Sequence, residues 1–388
     1  MKRTIKSIVK LMSFGFIGLA LLSCSKSETA PVNQDKAIGF NTYTGRTVTK
    51  ADASLIDKGT QVLPNGAKFV VYAYNTGSAS WAGTVSNVFM KNVTVTYAGG
   101  GATDATKYTY SPLRYWPNDE ANNLLSFFAY YPANGDGIVP PAAATEGETS
   151  NGWGDYTFTV DTDPTKMVDF CVSEVAPNQK YSLTNHGNEG IVNMKFYHTL
   201  TMVKFQVKTD ENPNANPPYV YTGTTITLKS ITLAGVNTVG TLSPNNDHLT
   251  YDWSDATTPK EFNIFTSSEQ NPGLIVNSTG AWLPSKTAVA EGTPGPAKDA
   301  YLMIPQTLSD NVKATIEYTV QTEGDDAVTN TAVVTLNTSD IKAWQKNKNI
   351  VYTFIVGLKP IKFIAEVADW DAVTGANFDI PVPTTTGN

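Results

Sequence analysis

Few residues in this chain carry reactive chemistry, and the first is Cys24. It closes the tetrapeptide Leu21-Leu22-Ser23-Cys24 behind an apolar run from Leu11 to Leu22 and four cations, Lys2, Arg3, Lys6 and Lys10. A small residue before a cysteine in that setting suits a lipoprotein signal peptidase, and the thiol is the nucleophile that takes up diacylglycerol. The pattern predicts a signal peptide over residues 1–23 and a lipid on Cys24. The apolar run is too short to span a bilayer comfortably. Cys171 is the other cysteine, and it cannot close an intrachain bridge with a lipidated partner.

Beyond Cys24, the sequence offers little for catalysis or metal binding. HExxH, CxxC, GxSxG and the glycine-rich phosphate loops are all missing, so the reactions those spacings support are not expected. His186, His198 and His248 are scattered without ligand-spaced Cys, Asp or Glu neighbours. The reading is therefore no metal and no cofactor, with His198 a hydrogen-bonded structural histidine. The carboxylate pairs Asp161/Asp163 and Asp369/Asp371 sit where strands end, and Asp there caps turns more readily than it hydrolyses glycosides. The tryptophans, Trp116 and Trp344 among them, read mainly as core or interface filling. The chain is not expected to be an enzyme.

Strands must position these residues. Charged residues make up only 16% of the chain. Runs rich in Thr, Val, Tyr and Phe recur between Gly, Pro, Asn and Asp clusters, the texture of an all-β protein. Strands are predicted at Lys68–Tyr74, Val88–Tyr97, Leu124–Tyr131, Asp155–Val160, Asn193–Val207, Thr225–Ala234, Lys313–Gln321, Ile350–Leu358 and Ile361–Val367. In Lys313–Val320, Ala314, Ile316, Tyr318 and Val320 alternate with Thr315, Glu317 and Thr319, so one face is buried and one wet. A single helical turn is predicted at Thr338–Lys346, capped by Thr338-Ser339-Asp340. The stretches Ala133–Asn151 and Gly292–Lys298 read as surface loops. A chain of this length exceeds one comfortable core, and two domains dividing near Gly190 are expected.

Cleavage before Cys24 would remove four cations and no acid, taking the formal net charge from −7 to −11. Such a surface repels phosphate backbones, which argues against a nucleic-acid partner.

Several segments resemble the fimbrillin family of Bacteroidota lipoproteins: Tyr115-Trp116-Pro117 followed by Leu124–Pro132, then Phe196–Val203 (FYHTLTMV), Tyr301–Leu308 (YLMIPQTL), and Asn349–Leu358 leading to Ile361–Trp370. They span most of the chain in the family's order. The resemblance implies two tandem transthyretin-like β-sandwich domains and a fimbrial (pilus) subunit, stalk or tip, that contributes to adhesion. It implies an outer-membrane lipoprotein precursor that ends at the cell surface in a fimbrium. There a trypsin-like protease removes the lipidated segment with its first strand, and a strand from another subunit, in a homo- or heteropolymer, fills the vacated groove.

Each step has a counterpart in the residues. A polar tether, Ser25–Lys36, leads to a strand-like segment with Ile38 and Phe40 on one side. Arg46 follows in a Gly/Thr loop and is one of two arginines left after Cys24, the other being Arg114. Lys50 is the competing scissile residue, since exposed loops are where nicking concentrates. The division expected is 24–46 as propeptide, 47–190 as the N-terminal domain and 191–388 as the C-terminal one. Loss of the strand near Ile38 would bare unpaired backbone groups, and a donated strand would restore them by β-augmentation. The donor candidates are Phe378, Ile380 and Val382, although Pro381 and Pro383 each remove a ladder donor. The competing reading is a monomeric surface lipoprotein that binds a glycan or a host or bacterial ligand and never polymerises.

Overall fold

Leu125–Tyr131 (LSFFAYY) is buried at every position, and its two faces look into different interiors. Leu125, Phe127, Ala129 and Tyr131 belong to one apolar cluster, Phe128 and Tyr130 to another. The neighbouring strand Lys68–Asn75 repeats the pattern: Phe69, Val71 and Ala73 on one side, Val70, Tyr72 and Tyr74 on the other. Side chains of a strand point alternately to opposite faces, so a continuous apolar run marks a strand covered on both sides.

The structure is a computed structural model. It describes residues 32–44, 66–81, 86–99, 107–133, 135, 137–141, 149–150, 154–164, 166–183, 190–244, 251–283, 300–358 and 361–369. The fold is all-β, and its described residues include a 3-10 turn, Tyr181–Leu183.

Three large sheets carry the fold. The first has nine strands, in the order Gly39–Thr44, Ile191–His198, Cys171–Ser173, Leu125–Tyr131, Lys68–Asn75, Ser86–Tyr97 and Tyr108–Thr109, with two short strands paired beside this path. The second has seven and is built on the long hairpin of Thr224–Pro244 with Tyr251–Thr266. The third has five, with Thr201–Thr209 parallel to Lys348–Val356 at its centre.

One apolar cluster reaches from Val70 to Val356 and draws on all three sheets. The other lies against the far face of the nine-stranded sheet and includes Ile38, Phe40, Phe69, Phe127 and Phe196, with Trp116 from outside that sheet. Gly190 lies directly ahead of Ile191–His198, which pairs inside the nine-stranded sheet, while Tyr156–Thr159 pairs with Thr224–Pro244 of the seven-stranded sheet.

Two sequence expectations are corrected. The single strand predicted over Asn193–Val207 is two, Ile191–His198 and Thr201–Thr209, in different sheets. The break comes where Thr199 turns its N–H to the Phe170 carbonyl, at 3.0 Å. The capped turn at Thr338 forms without a helix. Thr338 Oγ1 accepts the N–H of Ile341 at 2.9 Å and of Asp340 at 3.3 Å, and the chain then goes straight into the strand Ala343–Trp344 paired with Gln306–Thr307.

Candidate functional site

Gly39–Thr44, here called the latch strand, lies at one edge of the nine-stranded sheet. Among the described residues it is paired on one side only, parallel to Ile191–Phe196 with Phe40 beside Val192 and Thr42 beside Met194. The alternation noted in the sequence decides which side chains go inward. Ile38 is 1% exposed and Phe40 0%. Phe40 meets three rings edge-on: Tyr110 at 5.6 Å, Phe127 at 6.1 Å and Phe69 at 6.4 Å between centroids. Edge-to-face contact at these distances adds about 0.5–1.5 kcal/mol per pair to the burial itself.

Two tyrosines hold the segment from the opposite side. The Tyr110 hydroxyl donates to the Ile38 carbonyl at 2.8 Å and accepts the Arg114 N–H at 3.3 Å. The Tyr108 hydroxyl accepts the Thr42 N–H at 3.2 Å and lies 2.9 Å from Thr42 Oγ1. Burial raises both phenols, Tyr110 to about 12, so both stay protonated donors through the physiological range. Ile38 N–H donates to the Arg114 carbonyl and Gly39 N–H to the Gly190 carbonyl, each at 2.9 Å. That Gly190 carbonyl also takes the Trp116 indole N–H at 3.0 Å. Gly190 has φ +84°, and a Cβ there would stand 3.0 Å from the Tyr181 ring, so the turn that presents this carbonyl requires glycine.

Ahead of the latch, Val32–Ala37 pairs antiparallel with Tyr115–Pro117, and the Lys36 ammonium sits 3.7 Å from the centre of the Tyr181 ring. One feature of the fit is poor. Asn41 is 6% exposed, and its Oδ1 is buried with no hydrogen-bond partner among the described residues; its Nδ2 reaches Asn193 Oδ1 only at 3.4 Å. An unsatisfied buried acceptor costs about 1–3 kcal/mol. Parallel pairing is also slightly weaker per residue than antiparallel. The latch is therefore well buried but not optimally bonded.

Of the residues singled out in the sequence, Ile38 and Phe40 come together in this berth. Cys24, Arg46, Lys50, Phe378, Ile380 and Val382 lie outside the described residues. Trp116 and Trp344 are each 1% exposed. Asp161 Oδ1 accepts the Asp163 N–H at 2.8 Å, a turn bond, and Asp163 Oδ2 lies 3.9 Å from the Lys166 ammonium. Sequence reasoning missed the clamp of Tyr108 and Tyr110, because it spans about seventy residues of chain and only strand order creates it. It also missed the gathering of Asp169, Cys171 and His198. There the Cys171 thiol is buried and raised to about 12, chiefly by desolvation, so it is no ready nucleophile.

Comparison with known proteins gives three findings. The family model described as fimbrillin-like matches residues 49–370. The fimbrium subunit Fim1C of Phocaeicola vulgatus is 24% identical over 385 residues, covering 92% of this chain and 92% of that protein. A crystal structure of a fimbrial protein from Bacteroides vulgatus superposes with a TM-score of 0.56 at 21% identity, covering 86% of this chain and 99% of the other.

Proposed function

The chain belongs to the fimbrillin-like family, and from that premise we propose that it is a cell-surface fimbrial subunit that enters its fibre by exchanging the latch strand. In this reading lipid on Cys24 holds the precursor at the outer membrane. A trypsin-like protease cuts after Arg46, or after Lys50. The latch then leaves, and a strand from another subunit takes its place against Ile191–Phe196. The donor is the tail of a neighbouring subunit, with Phe378, Ile380 and Val382 as this chain's own counterparts. The assembled fibre contributes to adhesion to a host or bacterial surface.

The observation that carries the reading is the latch itself. It is an edge strand whose Phe40, with Ile38 directly ahead of the strand, fills an apolar berth, and Thr44 ends it two residues before Arg46. Burying each of those side chains is worth about 1.5–3 kcal/mol, so the emptied berth would strongly favour a replacement. A replacement with no counterpart to the unpaired Asn41 Oδ1 would bind better than the original.

The test is to treat the purified protein with an arginine-specific protease, sequence the new N-terminus and look for SDS-resistant ladders. A new terminus at Thr47 together with ladders is expected, and Arg46→Ala should abolish both. A protein that keeps its N-terminus and stays monomeric under these conditions would instead favour the surface lipoprotein that binds its ligand alone.

A further inference from the structure

Asp169 lies two residues ahead of Cys171, which opens the strand Cys171–Ser173, and the two side chains meet. His198 stands directly across from Cys171 in the antiparallel pairing of Cys171–Ser173 with Ile191–His198. The three donor atoms form a nearly regular triangle. His198 Nδ1 lies 2.9 Å from Asp169 Oδ1 and 3.5 Å from Cys171 Sγ, and Sγ lies 3.5 Å from Oδ1. We propose that Asp169, Cys171 and His198 form a binding site for a divalent transition-metal ion, with zinc as the natural occupant, at the junction between the nine-stranded and five-stranded sheets.

Ligand distances support this. Zinc takes thiolate sulfur at about 2.3 Å and imidazole nitrogen or carboxylate oxygen at about 2.0–2.2 Å, which places tetrahedral ligand atoms roughly 3.3–3.6 Å apart. Two sides of the triangle already match, and the third needs Asp169 and His198 to part by a few tenths of an ångström. The charges match as well. One thiolate and one carboxylate cancel a divalent cation, so the occupied site is neutral, as a buried group must be. Coordination releases the thiol proton to solvent. Cys171 is buried, whereas the side chains of His198 and Asp169 are 12% and 25% exposed, leaving the fourth position to water.

The ligands are also held in place from outside. Thr199 N–H and Oγ1 bond the Phe170 carbonyl at 3.0 and 2.6 Å. The Tyr251 hydroxyl donates to the His198 carbonyl and the Trp253 indole to the Thr199 carbonyl, both at 2.7 Å. These bonds fix the backbone from which Cys171 and His198 project. A nucleophilic triad is the wrong description, because Cys171 and Asp169 converge on the same ring nitrogen. A triad places nucleophile and orienting acid on opposite nitrogens of the base.

The experiment titrates reduced, metal-stripped full-length protein with Zn2+, and separately with Co2+, while following thermal unfolding and absorbance. Expected are one Zn2+ bound per chain, a rise in Tm, and with Co2+ a thiolate charge-transfer band in the near ultraviolet. Cys171→Ser should erase the band and weaken Zn2+ binding at least tenfold. Asp169→Asn should weaken binding by a similar factor and serves as the working variant should Cys171→Ser not fold. A wild-type protein that shows neither the cobalt band nor a Tm shift with excess Zn2+ overturns the proposal. So does a Tm gain that persists undiminished in Asp169→Asn, since the ion would then sit elsewhere.

Discussion

At the scale of single residues, the hold on the latch rests on groups that can be titrated or replaced. Tyr110 is the clearest. Its phenol is raised in the fold from 10.0 to about 12 by burial, so the folded value lies above the unfolded one. Its contribution is complete below pH 10 and is lost as pH climbs toward 12. Alkaline release of Gly39–Thr44, followed by hydrogen exchange at those amides, should therefore begin above pH 10. Tyr110→Phe, which lacks the bond to the Ile38 carbonyl, should exchange faster at neutral pH and show a smaller alkaline step, with the share of Tyr108 remaining. Asn41 works in the opposite direction. Its Oδ1 is buried without a partner among the described residues, so Asn41→Leu should strengthen the latch by about 1 kcal/mol despite removing a polar side chain. Slower strand loss after protease treatment would register that gain. The inward side of Ile38 and Phe40 was legible in the sequence because period-two alternation is local. Tyr108, Tyr110 and the Asp169–Cys171–His198 group were not, because each contact exists only once strands remote in sequence lie side by side.

At the scale of elements, what matters is which strand stands at an edge and what sits in its place. All-β character and the positions of many of the longer strands were readable from composition and turn residues, although the long Tyr251–Thr266 was not. The passage from one sheet to the next was not read, although a signal was present. Val192, Met194, Phe196, Leu200 and Met202 are buried at even positions and Val203, Phe205 and Val207 at odd ones, a change of phase that falls between Met202 and Val203, inside the second strand, and so signals the switch of sheet without locating the break. The latch offers a test at this scale. A synthetic peptide of residues 32–44 carries both the antiparallel partner of Tyr115–Pro117 and the parallel partner of Ile191–Phe196. Added in excess after cleavage, it should reoccupy the berth and suppress SDS-resistant ladders in proportion to its concentration. A peptide with Ile38 and Phe40 replaced by Ser should do so far more weakly, because ladder bonds alone give affinity without the apolar side chains that fix register. Equal inhibition by the two peptides would detach assembly from this berth.

At the scale of the whole molecule, the two apolar clusters divide the labour. The larger joins all three sheets, and within it Phe205 packs against Tyr301, Tyr352 and Phe354 at 5.7, 5.9 and 6.1 Å. The smaller lies on the opposite face of the nine-stranded sheet, itself an interior, and is the one that contains Ile38 and Phe40. In the proposed exchange of the latch, such a separation would confine the loss to one cluster. Two truncations of the same side chain should therefore behave differently. Phe205→Ala empties a site inside the shared interior and should cost about 3–5 kcal/mol, read as a lower Tm and faster exchange in strands of all three sheets. Phe40→Ala removes a comparable volume, yet its effect should stay with the latch and the strands lining its berth. Exchange should rise at Gly39–Thr44 and Ile191–Phe196 while Lys348–Val356 keeps its wild-type protection. If Phe40→Ala loosened Lys348–Val356 as much as Phe205→Ala does, the two clusters would unfold as one, and losing the latch would endanger the whole subunit instead of preparing it for a neighbour.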